Sequence, residues 1–189
     1  MQDEIKKFSK KKILLIEPVD YNLKDLKERT KNFPNVIIEP VAVSDKDETL
    51  PFYHIKRSSI DKLKKHWASG IGSFNKDHIL KHKSKRFKVS DEDIEEIEIQ
   101  CLSFKSLVKK YSIKKIEKLL IDVEGAEYKI LKSINYKEIL IQSIIFEKKH
   151  FDGTFNMGSK LKEIKDLLIE NNYELFDLDE ENIIAKKIE

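Results

Sequence analysis

The sequence predicts an α/β fold with a mostly parallel sheet and a C-terminal antiparallel hairpin. Short unbroken apolar runs, such as "ILLI" at 13–16, are typical of strands buried on both faces. Segments with helical apolar spacing lie between these runs, and strands that alternate with helices favour parallel pairing. The last apolar segments flank "DEEN" at 179–182, which predicts a closing hairpin.

The first elements follow from where apolar runs start and stop. "QDEIKKFSKK" has the spacing of a short amphipathic helix, and the strand Ile13–Ile16 is stopped by Glu17 and a proline. Asn22 is a candidate cap for the next helix, which we expect to end near Pro34.

The middle of the chain is less regular. "NVIIEPVAVSD" predicts one strand with an irregularity at Pro40, and "TLPFYHI" predicts a short strand. From 56 to 93 the periodicity weakens, and this stretch holds the only tryptophan, Trp67. A long, weakly patterned segment inside a compact domain is typical of a lid or an insertion.

Regular patterns return in the second half as alternating strands and helices. Ser103 is a candidate helix cap there. The predicted strands are "IEEIEIQCLSF", "EKLLIDVEG" and "QSIIFEKKH", and the predicted helices are "SFKSLVKKY", "AEYKILKSI" and "SKLKEIKDLLIENN", the last with Leu161, Ile164 and Leu168 on its inner face.

Composition limits the classes of protein that this chain can be. Its 189 residues suit a single domain, residues 1–189. Lys and Arg total 37 against 34 Asp and Glu, and this near balance predicts no nucleic-acid partner. The single cysteine, Cys101, excludes an internal disulfide and is predicted to be a core residue. No apolar stretch approaches the roughly 20 residues of a membrane span, so we expect a cytoplasmic protein without a membrane partner.

Acidic side chains end three of the predicted buried strands. They are Glu17, Asp122 and Glu147. Ligands of open α/β sheets bind at the carboxyl ends of the strands, so we expect these acids to converge on one crevice.

Four segments resemble the FkbM-type S-adenosylmethionine-dependent methyltransferases. They are "IEPVDYNLKDLKERTKNFPNVIIEPVAVSDKD", "ASGIGSFNKDHILKH", "LLIDVEGAEYKILKSI" and "IIFEKKH", which together span about Lys12 to His150. The resemblance implies a Rossmann-like class I methyltransferase fold and S-adenosylmethionine as cofactor. It also implies O-methylation of a hydroxyl on a sugar, polysaccharide or polyketide-like acceptor, which is a small molecule or a glycan.

The chain departs from that family at its start. Such enzymes begin with a strand and a Gly-rich turn that cradles the cofactor, whereas this chain has no glycine before Gly70. We therefore expect the first strand to be missing and the chain to be a fragment or a truncated homologue. A missing strand exposes a sheet edge beside Ile13–Ile16 and predicts a homo-oligomer.

Two other functions stay open on the sequence. The lost turn also fits a non-catalytic binding or scaffold remnant without cofactor. A different nucleotide-using sugar enzyme is a weaker alternative, because no Gly-rich fingerprint supports it.

The resemblance suggests which residues bind the cofactor. Glu17 lies where a carboxylate can accept hydrogen bonds from two ribose hydroxyls, and charge-assisted bonds are the strong ones. Val43, Ser44 and Asp45 correspond to an adenine-edge position, although Ser-Asp-Lys-Asp is also ordinary turn chemistry.

The acids of "DVEGAE" are candidates for the acceptor side. Asp122 and Glu124 could bind the acceptor hydroxyl or position the methyl donor. Oxygen ligands this close together would also suit Mg²⁺ or Ca²⁺, but we assign no metal site. Glu127 is interpreted mainly as an acid that the helix dipole stabilises.

Methyl transfer to a hydroxyl also needs a proton acceptor. Glu147 and His150 are the candidates, and the sequence fits His150 equally well as an ordinary surface histidine. The predicted cover of the acceptor site consists of Trp67, Gly70, Gly72 and Ser73. His78 and His82 share a helical face, but no carboxylate pattern supports a metal site there.

Overall fold

The computed structural model has an α/β fold in which helices and strands alternate along most of the chain. It describes residues 2–63, 66–81, 83–84, 87–149, 151 and 158–188. None of the helices in those ranges is both long enough and apolar enough to cross a membrane.

The helices are short and include two 3-10 helices, His66–Gly70 and Asp91–Asp93. The α-helices are α1 Gln2–Lys7, α2 Asp20–Thr30, α3 Arg57–Leu63, α4 Lys76–Lys81, α5 Phe104–Lys110, α6 Glu127–Ser133 and α7 Ser159–Glu170. The strands are β1 Ile13–Ile16, β2 Val36–Glu39, β3 Ala42–Ser44, β4 Glu48–Ile55, β5 Gly72–Ser73, β6 Lys83–Ser84, β7 Phe87–Lys88, β8 Ile94–Ser103, β9 Lys115–Ile116, β10 Leu119–Ile121, β11 Leu140–Ile141, β12 Ser143–Glu147, β13 Tyr173–Asp177 and β14 Asn182–Lys187.

One four-stranded sheet has the order β10-β12-β14-β13. β10 and β12 are parallel, whereas β14 is antiparallel to both of its neighbours. The predicted C-terminal hairpin is therefore present as β13 and β14. Leu120 of β10 is 58% exposed, so this strand is not buried on both faces as its apolar run predicted.

A second four-stranded sheet has the order β3-β8-β4-β5, and β1 pairs in parallel with β2 in a sheet of its own. The described strands form several sheets, and each four-stranded sheet contains both parallel and antiparallel pairs. The expectation of one mostly parallel sheet is therefore not confirmed.

Pro40 divides what the sequence predicted as one strand. β2 ends at Glu39, and β3 begins at Ala42 and pairs with β8 instead of β1. Proline has no N–H to donate to a ladder, so the chain leaves the first sheet at this residue.

The main core lies between the β10-β12-β14-β13 sheet and the helices α6 and α7. Leu161, Ile164 and Leu168 of α7 are all buried, which confirms the predicted inner face of that helix. Ile144 and Phe146 of β12 are 0% exposed and occupy the middle of this core.

Local signals explain several helix ends. The Ser103 side chain accepts a hydrogen bond from the Ser106 amide, so Ser103 caps α5 as predicted. The prediction that Asn22 caps a helix was wrong, because α2 already begins at Asp20. The Glu17 carboxylate accepts a hydrogen bond from the Val19 amide at 2.8 Å and satisfies one of the first free N–H groups.

Cys101 is fully buried in β8, as predicted for a core residue. Burial raises the pKa of its thiol to about 11, so the side chain is a neutral thiol at neutral pH.

The segment 56–93 holds more regular structure than its sequence indicated. Short helices and strands occupy its described part, and Ile60, Ile71, Ile79 and Val89 form a separate apolar cluster with the end of β4. Burial of a few well-spaced apolar side chains stabilises these short elements, which are too short to show a periodic pattern.

Candidate active site

Asp122 follows β10 directly and leads into the turn Val123–Gly125, which precedes α6. Glu124 and Gly125 of this turn both have positive φ, at 53° and 107°. A left-handed conformation is costly for a residue with a side chain, so contacts elsewhere must hold Glu124 in place.

Glu127 holds the turn from within the protein. Its side chain is 0% exposed, and its carboxylate oxygens accept hydrogen bonds from the Val123 and Gly125 amides, each at 2.8 Å. The pKa of this carboxyl is raised to about 8, mainly by burial and also by the charge of Glu147, while the hydrogen bonds from the backbone amides oppose the rise. A pKa of about 8 favours the protonated form of Glu127 at neutral pH, whereas the sequence led us to interpret this residue mainly as a charged partner of the helix dipole.

Glu147 ends β12, and the parallel register of β10 and β12 pairs Ile121 with Phe146. This register sets Asp122 beside Glu147, and Glu127 completes a trio whose carboxylate oxygens lie within 4.8 Å of one another. Such an arrangement can hold a divalent cation through oxygen ligands, or it can share a proton among its carboxylates. The sequence predicted that Glu17, Asp122 and Glu147 converge. The structure brings Asp122 and Glu147 together, whereas Glu17 follows β1, which lies in a different sheet.

Glu124 is held by residues of the segment 56–93, which the sequence interpreted as a lid or an insertion. His78 of α4 is fully buried, and its Nε2 lies 3.1 Å from Glu124 Oε2. The Ser73 hydroxyl donates a hydrogen bond to the Glu124 carbonyl oxygen at 2.9 Å. Ser73 is 4% exposed, so the structure places it inside the protein, against the turn.

Glu17 directly follows β1, where the sequence placed it. Its amide donates to the Glu39 carbonyl oxygen at 3.1 Å, and its carboxylate is bonded to the Val19 amide and to the Asn22 side chain. Burial raises the pKa of Glu17, and these two hydrogen bonds oppose that rise. Asn22 also donates to the Ser69 carbonyl oxygen at 2.7 Å and so connects this strand end to the covering segment.

The other predicted cofactor residues lie in β3 and just after it. Ser44 is 3% exposed, and its hydroxyl donates to an Asp45 carboxylate oxygen at 3.1 Å. Val43 packs on the main core, and Asp45 is exposed. Since β3 pairs with β8 and β1 pairs with β2, the structure puts this group and Glu17 in different sheets.

The predicted cover residues share one stretch of chain. Trp67 and Gly70 belong to the 3-10 helix, and Gly72 pairs with His54 between β5 and β4. A Cβ on Gly72 would lie 2.7 Å from the Phe52 ring, so a larger residue there would force this buried ring to shift. The Trp67 side chain and the whole of His150 lie outside the described part of the structure.

Sequence reasoning named Glu127 and His78 but assigned neither of them to this site. Glu127 was visible as the last acid of "DVEGAE", but its spacing alone does not show that the carboxylate folds back onto the turn. His78 gave no local signal for its partner, because Glu124 is 46 residues away along the chain.

Gly125→Ala is expected to destabilise the protein by about 1–3 kcal/mol, because an alanine is strained at φ 107°. Urea denaturation measures the effect. Gly70→Ala is the matched control, since an added Cβ there has no atom within 4 Å, and it should change stability by less than about 0.5 kcal/mol. Equal losses in the two variants would contradict the strain argument.

The methyltransferase FkbM domain matches residues 2–175 of the chain. This range contains β1, the turn after β10 and the acid at the end of β12. No curated protein and no solved structure matches the chain. Since the matched range covers most of the 189 residues, the chain belongs to the FkbM methyltransferase domain family.

Proposed function

We propose that this protein is an S-adenosylmethionine-dependent O-methyltransferase acting on a hydroxyl of a sugar, polysaccharide or polyketide-like acceptor. The observation that carries the proposal is a set of acids at the carboxyl ends of two adjacent parallel strands, in a chain of the FkbM family. The carboxyl ends of parallel strands are where α/β folds bind their ligands.

The cofactor side is assigned to the first strand and to β3. Glu17 would accept hydrogen bonds from the two ribose hydroxyls, and Val43, Ser44 and Asp45 would border the adenine. The partial burial of Glu17 supports its role, because a desolvated carboxylate forms stronger hydrogen bonds than one in water. We also propose that the strands form a Rossmann-like arrangement in a single domain.

The acceptor side is assigned to the turn after β10. Asp122 and Glu124 would orient the acceptor hydroxyl, and Glu147 or His150 would assist removal of its proton. Trp67, Gly70, Gly72 and Ser73 belong to the segment that would cover the acceptor. Rate enhancement would come mostly from alignment of the hydroxyl oxygen, the methyl group and the departing sulfur.

Calorimetric titration of the full chain with S-adenosylhomocysteine tests this function. We expect a dissociation constant in the micromolar range. Glu17→Gln should weaken binding about tenfold or more, because loss of a charge-assisted hydrogen bond costs about 1.5–3 kcal/mol. Glu28→Gln is the control, since Glu28 lies on the exposed surface of α2 and pairs with Lys31 there.

Two results of this titration would count against the proposal. Absence of binding to a folded chain would favour the non-catalytic remnant. Equal affinities of the Glu17→Gln variant and the wild type would remove Glu17 from the cofactor site and leave the family assignment intact.

A further inference from the structure

Two residues from one short stretch of chain hold Glu124 at both ends. Ser73 binds its backbone carbonyl oxygen at 2.9 Å, and His78 binds its carboxylate at 3.1 Å. These residues lie in β5 and α4, far along the chain from the turn that they hold. Glu127 binds the Val123 and Gly125 amides of the same turn, so the two contacts on Glu124 add to a turn that Glu127 already holds.

This arrangement carries two costs that a purely structural contact does not explain. His78 is fully buried, and an imidazole loses its hydration there. Glu124 adopts φ 53°, a left-handed conformation that is costly for a residue with a long side chain. Strained backbone and buried polar pairs that persist together are typical of sites where one side chain must keep a fixed direction.

Glu124 is held by two side chains and still reaches solvent, and its neighbour Asp122 is exposed as well. The Glu124 side chain keeps 19% of its exposure, whereas Glu127 is 0% and Glu147 8% exposed. The charge of Glu124 also reaches Lys149, whose pKa is raised mainly by its bond to Glu181 and further by Glu147 and Glu124. Glu124 therefore lies at the boundary between the buried acids and solvent.

We propose that His78 is a positioning residue for Glu124. The imidazole Nε2–H donates to Glu124 Oε2 and, together with Ser73, fixes the carboxylate so that it accepts a hydrogen bond from the acceptor hydroxyl. This role rests on the methyltransferase function proposed above. It also explains why the covering segment touches the turn through a histidine instead of through an apolar side chain.

The protonation of His78 is the first test. A long-range ¹H–¹⁵N spectrum of the uniformly labelled full chain at pH 7 shows which ring nitrogen carries a proton, and the signal lost in His78→Gln identifies His78. We expect a proton on Nε2. A ring protonated on Nδ1 alone would overturn the proposal, because Nε2 would then face the carboxylate as a second acceptor.

Rescue by a conservative variant is the second test, read from the carboxyl ¹³C resonance of Glu124 in glutamate-labelled protein. The resonance should shift in His78→Leu and return toward its wild-type position in His78→Gln, whose amide can donate from a similar place. His54→Gln is the matched control, because His54 is a buried histidine whose Nε2 lies 3.7 Å from Glu95 instead of Glu124, and it should leave the resonance unmoved. No shift in His78→Leu, or no return in His78→Gln, would refute the positioning role.

Titration with S-adenosylhomocysteine keeps the two proposals distinguishable. If the wild type binds and the Glu124 resonance does not shift in His78→Leu, only the role of His78 is overturned. No binding overturns the methyltransferase function and, with it, the role of Glu124 toward an acceptor. Binding together with the expected shift and its rescue supports both.

Discussion

The free energy of unfolding is expected to fall as the pH rises from about 5 to about 8, and Glu127 is the main cause. Its pKa of about 8 in the folded protein lies well above the usual 4.5 that applies after unfolding. Between these two pKa values the folded state keeps a proton that the unfolded state loses. The stabilisation that comes from Glu127 is therefore fully present below the unfolded pKa of 4.5 and is lost as the pH rises toward the folded pKa of about 8. The slope approaches about 1.4 kcal/mol per pH unit.

Glu127→Gln tests this expectation in urea denaturation from pH 5 to pH 9, with a chelator present to keep divalent cations off the acid trio. The variant should be about 1–3 kcal/mol less stable at pH 5, because its amide NH₂ must face one of the two backbone N–H groups that bind the Glu127 carboxyl oxygens. Its stability should then depend much less on pH.

The matched control for that experiment is Glu174→Gln, which changes an exposed glutamate on β13. This variant should follow the wild-type curve. Parallel curves for Glu127→Gln and the wild type would show that the Glu127 carboxyl is already ionised in the folded protein at neutral pH.

Phe146→Ala is expected to destabilise the protein by about 3–5 kcal/mol, the usual cost of truncating a phenylalanine in a packed core. Phe146 is 0% exposed in the middle of β12, and its ring lies 5.6 Å from the ring of Phe151. Its removal leaves a cavity beside the strand whose end carries Glu147. Urea or thermal denaturation measures the loss.

Phe176→Ala is the control in the same sheet. Phe176 is 43% exposed on β13, with Lys186 above its ring, so its loss should cost less than about 1 kcal/mol. Similar losses in the two variants would contradict the burial difference between β12 and β13.

Much of the local structure could be predicted because it depends on neighbours along the chain. The apolar run before Asp122, the amphipathic pattern of α7 and the cap at Ser103 each act over a few residues, and each prediction is confirmed. Strand β10 shows the limit of this reasoning. An apolar run indicates a strand, but whether both faces are covered depends on which elements pack against it.

The pairing of strands could be predicted only in part. Pro40 indicated an irregularity. In the structure, the strand before it, β2, pairs with β1, and the strand after it, β3, pairs with β8. A proline shows where pairing stops, but the next partner is chosen by side-chain packing between distant segments.

The sequence by itself determined the family, the α/β class and the acids at the ends of three strands. The family follows from the resemblance of its motifs, and the α/β class and the strand-end acids follow from local periodicity. Tertiary structure alone decided what surrounds each acid. It buried Glu127, brought it to Asp122 and Glu147, and set His78 against Glu124. The physical reason is that burial and hydrogen-bond partners set the charge and direction of a carboxylate, and both come from residues far apart in the chain.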